Sequence, residues 1–384
     1  INAEHFTRVL RADPKRSGLL YAGTEAGMYL SFDDGAHWQP FQLKLPIVPI
    51  TDLAVKNDNL IAATQGRSLW MIDDLTVLHQ LSDELKTKDL HLFQPMPAYR
   101  MGGRQAQNLK TEGTNHPGGA MVHFYLKNKP GEKDTVLLEI LDDAGAVIRT
   151  FSNQNKKEDK LPGLKAGGNR FVWNLRYPDS KKFEGLILWS SRLSGPTVVP
   201  GAYRVRLSAN GRSEEQGFTV LPDPRAGAQP ADFQQQFEFV KACADKLSDM
   251  HTAIANIRQL RDQMKSLSSR LPEEDRLKPL REQIKTIDSL MTAVETTLYQ
   301  TKNRSNQDPL NYPVQLNDKL GNLMEIAADG DFPPTTQAVE VKNMLFGLID
   351  AELAKWAVLQ ERDLPGLNRM VRELGVDVLR VKNE

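Results

Sequence analysis

The sequence predicts a multidomain β + α chain in three parts: partial β-propeller blades, an immunoglobulin-like β-sandwich and an antiparallel helical bundle. Three observations carry that expectation. Residues 1–90 hold two copies of a strand, turn and strand spaced about forty residues apart, the period of one propeller blade. Residues 91–221 alternate apolar and polar side chains between turn signals. Beyond a proline-rich linker at 222–232 the apolar period changes from two to three and a half, which marks 233–384 as a four-helix bundle.

In the first part, Leu20-Tyr21-Ala22-Gly23-Thr24 with Gly27-Met28-Tyr29-Leu30-Ser31 recurs as Leu60-Ile61-Ala62-Ala63-Thr64 with Gly66-Arg67-Ser68-Leu69-Trp70-Met71-Ile72. Strands at 7–12 and 50–55 precede the two copies. The first copy leads into Ser31-Phe32-Asp33-Asp34-Gly35-Ala36-His37-Trp38, which resembles the Asp-box hairpin signature of sialidase-type and sortilin-type propeller blades. The residues justify a turn: Asp33 can accept backbone N–H groups, Gly35 can supply a positive φ, and Trp38 can bury beside it. Ser31, Asp33, Gly35 and Trp38 are therefore expected to be structural. The second copy lacks the glycine and tryptophan of the box. Two blades do not close a ring of about four to eight, so the blade face carrying Tyr21, Tyr29 or Leu69 is expected to pack on a companion polypeptide.

In the second part, alternating runs at 120–126, 135–141, 147–152, 169–175, 201–208 and 214–221 read as strands of a sandwich without the immunoglobulin cysteines. Asn210-Gly211 reads as a type I′ hairpin turn and Asp142-Asp143-Ala144-Gly145 as a further hairpin. Pro196 and Pro200 bracket an irregular connection inside this part.

In the third part, apolar residues from Phe233 to Leu267 form one stripe on a long helix. Leu277, Leu280, Ile284, Ile287, Met291, Val294 and Leu298 follow steps of three and four, a coiled-coil seam expected to be buried within the chain. A third helix carries Leu316, Leu320, Leu323 and Ala327. A fourth starts after Pro333-Pro334-Thr335, with a stripe through Val341, Leu345, Leu348, Glu352, Trp356 and Leu359.

Composition narrows the function. The 384 residues carry 49 basic and 49 acidic side chains, and no basic block is interleaved with aromatics, so nucleic acid is not an expected partner. No apolar run approaches the roughly 20 residues of a membrane-spanning helix. The chain opens on Ile1-Asn2-Ala3 without an initiator Met and is expected to be a piece of a longer protein. Its one cysteine, Cys243, leaves no disulfide within the chain.

The segments Ala63-Thr64-Gln65-Gly66-Arg67-Ser68-Leu69-Trp70-Met71-Ile72-Asp73-Asp74-Leu75, Asn115-His116-Pro117-Gly118-Gly119-Ala120, Gly168-Asn169-Arg170-Phe171-Val172-Trp173-Asn174-Leu175-Arg176-Tyr177-Pro178 and Asp308-Pro309-Leu310-Asn311-Tyr312-Pro313 with Leu316-Asn317-Asp318-Lys319-Leu320 extend the resemblance. Together they are similar to the C-terminal portion of bacterial sortilin-like, Asp-box-repeat proteins labelled glycosyl hydrolases. The resemblance implies a secreted or periplasmic protein with N-terminal propellers. It also implies the N-terminal propeller part of the same parent as partner, with a glycan or protein ligand.

Sialidase-type catalysis needs an arginine cluster, a tyrosine nucleophile and carboxylates, and Arg67, Asp73 and Asp74 are the nearest material. Arg67 is the one candidate placed to face a propeller channel. Asp33, Asp34, Asp73 and Asp74 read as turn residues, and His116 and His123 as solvent or domain-contact histidines rather than metal ligands. Gly102-Gly103-Arg104 and Gly118-Gly119 lack the strand and helix context of a phosphate loop. Cys243 has no base beside it, and Trp356 reads as core. No cofactor or metal is expected. The expected function is a non-catalytic recognition or assembly region; the alternative is the closing part of a glycoside hydrolase whose catalytic groups lie in an absent N-terminal propeller.

Overall fold

The computed structural model describes residues 5–101, 112–155, 159–189 and 191–376. The chain divides into two compact units, Ile1–Leu175 with Pro200–Asp223 and Arg176–Val199 with Pro224–Glu384. The first is built of sheet and the second of helix, the multidomain β + α order expected from the change of period.

The first unit opens with β1 (Thr7–Ala12), β2 (Leu20–Thr24), β3 (Gly27–Ser31) and β4 (Gln39–Pro40), an antiparallel sheet in sequence order. The repeat follows as β5 (Ile50–Lys56), β6 (Asn59–Thr64) and β7 (Leu69–Ile72), again antiparallel and in order. Asn57 and Asp58 turn β5 into β6 with φ of 49° and 60°. These are the positive φ values that match a two-residue hairpin to strand twist.

Ladder register makes the two sheets directly comparable. Tyr29 stands opposite Ala22, and Trp70 opposite Ala62, so Met28 and Leu30 of β3 correspond to Leu69 and Met71 of β7. Met28 and Leu30 share one core with Val9, Tyr21, Leu53, Leu60 and Ala62. Alternation puts Tyr21, Met28 and Leu30 on one face of the first sheet, and Leu53, Leu60 and Ala62 on the opposite face of the second. The sheets therefore stack head to tail. The expectation that Tyr21 packs on a companion is corrected: it is fully buried within this chain. Leu69, whose face is likewise expected to pack on a companion, is exposed in this chain.

The equivalent outer face of the second sheet is open. Leu69 and Met71 are 70% and 55% exposed, where Met28 and Leu30 are 4% and 2%. The edge differs too. β4 lies along β3, with the Phe41 N–H donating to the Met28 carbonyl at 2.8 Å, and among the described residues no strand lies along the outer edge of β7.

Helix α1 (Thr76–Gln80) then leads to β8 (Leu90–Leu92), β9 (Ala98–Tyr99), β10 (Ala120–Leu126), β11 (Val136–Asp142), β12 (Val147–Ser152), β13 (Gly167–Trp173), β14 (Gly201–Ala209) and β15 (Arg212–Leu221). They form sheets ordered β13-β10-β8 and β12-β11-β14-β15-β9, the last pair parallel. Neither short strand, β8 nor β9, was legible as an alternating run. In β14, Tyr203, Val205 and Leu207 are buried and alternate with Arg204 and Arg206, which pair with Glu215. Trp173 of β13 is fully buried and meets Tyr203 and Phe218 edge-on, joining the two sheets. Asn210 and Gly211 have φ of 51° and 75° and close a two-residue hairpin.

The second unit holds α2 (Pro230–Ser268), α3 (Lys278–Leu298), α4 (Leu316–Ala328), α5 (Thr336–Val358) and α6 (Leu364–Glu373). At 1.5 Å per residue α2 is roughly 58 Å long. All seven residues of the 277–298 seam are buried in one core with α2, α4 and α5. Two features depart from expectation. On α5 the buried stripe is Leu345, Ile349, Glu352 and Trp356, followed by Leu359, while Val341 and Leu348 are exposed. After α5 one π-turn at Leu359–Asp363 precedes α6, because Pro365 has no N–H for a continuous helix and is tolerated in a first turn.

Residues Arg176–Val199, expected to lie within the sandwich, cluster instead with the helices. Phe183 and Leu193 enter the helical core. The Ser180 hydroxyl donates to the Ala244 carbonyl at 3.1 Å, and His251 Nδ1 donates to the Lys181 carbonyl at 2.6 Å. The Trp189 N–H and the Ser191 hydroxyl donate to the two oxygens of Asp318 at 3.1 and 2.8 Å. Gly321 gives this approach its room, since a Cβ there would lie 2.8 Å from that of Ser191.

Ile287 has no exposed surface, and truncating a buried Ile to Ala costs about 2–5 kcal/mol. Ile287→Ala is therefore expected to lower the unfolding free energy of the helical unit by that amount and so bring its midpoint in denaturant down, followed by far-ultraviolet circular dichroism. An unchanged midpoint would mean that the seam does not hold this unit together.

Candidate functional site

The 31–38 turn is built by its own polar groups. The Ser31 hydroxyl donates to Asp33 Oδ1 at 2.7 Å and accepts the Gly35 N–H at 2.9 Å. Asp33 Oδ1 also accepts the His37 N–H at 2.8 Å, and Oδ2 lies 2.7 Å from His37 Nδ1. The His37 N–H, then the His37 ring and the Ser31 hydroxyl, pull the Asp33 carboxyl down to about 2. Asp34 and Gly35 take φ of 54° and 91°. Trp38, expected to bury, is half-buried; its ring stands over Gly35, 3.4 Å from where a Cβ would be.

In the second copy, Gly66 and Ser68 take positive φ and leave Arg67 exposed at the tip. Its guanidinium donates to the Gly66 carbonyl, and its own carbonyl accepts Trp70 Nε1, both at 2.9 Å. Arg67 thus sets the Trp70 ring, which with Met71, Asp73, Asp74, His123 and Arg170 lines a cleft of about 630 Å³. The Thr76 N–H and hydroxyl both donate to Asp74 Oδ1, and Oδ2 faces His123 Nε2 at 3.2 Å, off the line of a hydrogen bond. Burial works to raise the Asp74 carboxyl, but His123 and Thr76 outweigh it and hold it below the usual range. A carboxylate held ionised accepts hydrogen bonds and is poorly suited to act as an acid near neutral pH.

A second cleft of about 840 Å³ shares Asp73 and is lined by Lys15, Asp58, Tyr99 and His116. Lys15 and Asp58 are paired at 2.6 Å, and His116 Nδ1 accepts the Gly118 N–H at 3.2 Å. His116 and His123 therefore serve different clefts. Among the described residues no group of three or more His, Cys, Asp or Glu is placed to hold a metal.

A third cluster escaped the sequence reading. Asp13 accepts the Tyr21 hydroxyl at 2.7 Å and faces His79 Nε2 at 3.0 Å, and its other oxygen accepts the Lys15 and Arg16 N–H groups. Burial works to raise Asp13, but these four partners bring it below the ordinary range. The local signal was Asp13-Pro14, a turn opener; Tyr21 and His79 arrive only through the fold.

Gly119, at φ 91°, lets the backbone approach the Trp173 carbonyl, which a Cβ would meet at 2.1 Å. Ala146 N–H donates to Asp142 Oδ1 at 2.8 Å in the β11–β12 hairpin. Cys243 is fully buried, its thiol pushed up to about 12 by desolvation, and Trp356 is core. Gly102, Gly103 and Arg104 lie outside the described residues.

No known family profile matches the chain, and no curated protein does. Two solved structures of an extracellular domain of B. thetaiotaomicron, assigned to a one-component or hybrid two-component system, align at 9% and 8% identity with a TM-score of 0.17. They cover 58% and 57% of this chain and 26% of their own. A Salmonella alpha-2-macroglobulin aligns at 14% identity and TM-score 0.18, covering 56% of this chain and 12% of its own. Likeness at that level assigns neither fold nor activity.

Because Asp13 is depressed when folded, its contribution is present above the unfolded carboxylate value of about 3.9 and is lost as pH falls through the folded value. Asp13→Asn is expected to cost about 1–3 kcal/mol at neutral pH and to flatten the acid limb of stability, read from urea midpoints at a series of pH values. An acid limb identical to wild type would place the pH dependence elsewhere.

Proposed function

We propose that this chain is a non-catalytic recognition and assembly region of a secreted or periplasmic, sortilin-like Asp-box propeller protein. In this reading the two stacked sheets are its terminal blades, the following sheets an immunoglobulin-like spacer, and the helices a docking bundle. The 31–38 turn is the Asp-box of the first blade. The partner is the N-terminal propeller part of the same parent, and a glycan or protein ligand belongs to the assembled ring.

One observation carries this reading. The face that holds Met28 and Leu30 in the first sheet is covered by the second sheet, and the same face of the second sheet, with Leu69 and Met71, is open. A head-to-tail contact of this kind does not complete itself: each copy leaves the same face open for a further one, and the series ends in a ring where the rotation between sheets closes. The occupant that fits is a further sheet presenting a face like Leu53, Leu60 and Ala62, with a strand that pairs along the outer edge of β7 as β4 pairs along β3. Burying an exposed apolar side chain contributes about 1.5–3 kcal/mol, so both residues together supply much of a stable contact.

The test is binding of the N-terminal propeller portion to the chain. Leu69→Asp with Met71→Asp is expected to weaken it by at least about tenfold, equal to 1.4 kcal/mol, while Val147→Asp on β12 leaves it unchanged. Equal binding by all three would contradict the reading. So would hydrolysis of sialosides, xyloglucans or aryl glycosides by the chain alone, abolished by Arg67→Ala, which would favour the hydrolase alternative.

A further inference from the structure

Helix α5 carries two apolar seams. The first, Leu345, Ile349 and Trp356 with Glu352, is buried in the helical core. The second, Val341, Met344, Leu348, Ala351, Lys355 and Val358, advances by alternating steps of three and four, and each of its residues is exposed. Met344 and Leu348 are 58% and 50% exposed. A helix packed on one side needs one stripe, and a second stripe at heptad spacing is the geometry that accepts another helix.

We infer that this second seam docks a second copy of the chain through its own α5, antiparallel about a two-fold axis. Size and charge both select that occupant. Antiparallel pairing of the seam sets Leu348 against Ala351 of the second copy and Val341 against Val358, large against small at the centre, with Met344 on the aliphatic stem of Lys355. It brings the Lys355 ammonium beside Glu340 of the second copy, twice across the axis. Glu340 makes no ion pair among the described residues, and Glu352 steadies the Lys355 ammonium at 2.7 Å within each copy. Parallel pairing instead stacks Lys355 on Lys355, a repulsive contact. Gly347 flanks the seam with nothing within 4 Å of a Cβ position, so the second helix can come close. None of this depends on the sheets of the first unit.

Sedimentation equilibrium of the full chain over a concentration series tests it. The wild type is expected to dimerise reversibly. Leu348→Glu, at an exposed position that leaves circular dichroism unchanged, is expected to abolish the dimer. Glu340→Lys is expected to raise the dissociation constant about tenfold, and Val341→Cys with Val358→Cys to cross-link the dimer under mild oxidation where Val341→Cys alone does not. A monomer at every concentration, or a dimer insensitive to Leu348→Glu, would overturn the inference. Cross-linking by Val341→Cys alone, or none by the pair, would overturn the antiparallel register.

Discussion

The N-terminal sheets depend on one apolar layer, in which Tyr21, Met28 and Leu30 of the first sheet meet Leu53, Leu60 and Ala62 of the second. Apolar burial is non-directional, so the layer alone would tolerate slippage. Polar contacts remove that freedom. Tyr21 ends its buried ring on Asp13, and Asp13 is held in turn by His79 and two backbone N–H groups. Gly23 has Val9 and Ile50 side chains where a Cβ would go, so the sheets can meet closely at that row. The same repeat that builds this layer leaves the next equivalent face uncovered, and the proposed role in assembly follows from that asymmetry.

In the helical unit an irregular segment is tied down by buried polar groups. Arg176–Val199 has no period that could announce a helix or strand, and its carbonyl and N–H groups need partners once covered. His251 and Asp318 supply them from α2 and α4. Their burial, which looks costly in an apolar core, is explained by the backbone they satisfy. Arg258 and Arg261 similarly converge on buried Glu295.

Much of the fold was legible because its signals are local. Alternation located the strands of both repeats, and the Ser31, Asp33 and Gly35 bonds span only a few residues. The seam from Leu277 to Leu298 was legible because its period is unbroken. The failures have equally physical causes. Two overlapping seams on α5 led a single-stripe reading to combine Val341 and Leu348 of the exposed one with Leu345, Glu352 and Trp356 of the buried one. Tyr21 was placed on an outer face because nothing local announces that a second sheet covers it. Asp74 and His123, or Asp13 and His79, are far apart in sequence and meet only through the fold. Arg67, expected to face a propeller channel, lies exposed at the β6–β7 turn, and its contact with Trp70, through its backbone carbonyl, was not legible from the sequence.

Hydrogen exchange at Leu69 and Met71 tests the central claim most directly. Their N–H groups sit on the outer edge of β7, at the positions where Met28 and Leu30 meet β4 in the first sheet. These amides should exchange fast in the chain alone and become protected when the N-terminal propeller portion of the parent is bound. Equal exchange with and without that portion would contradict the assembly role.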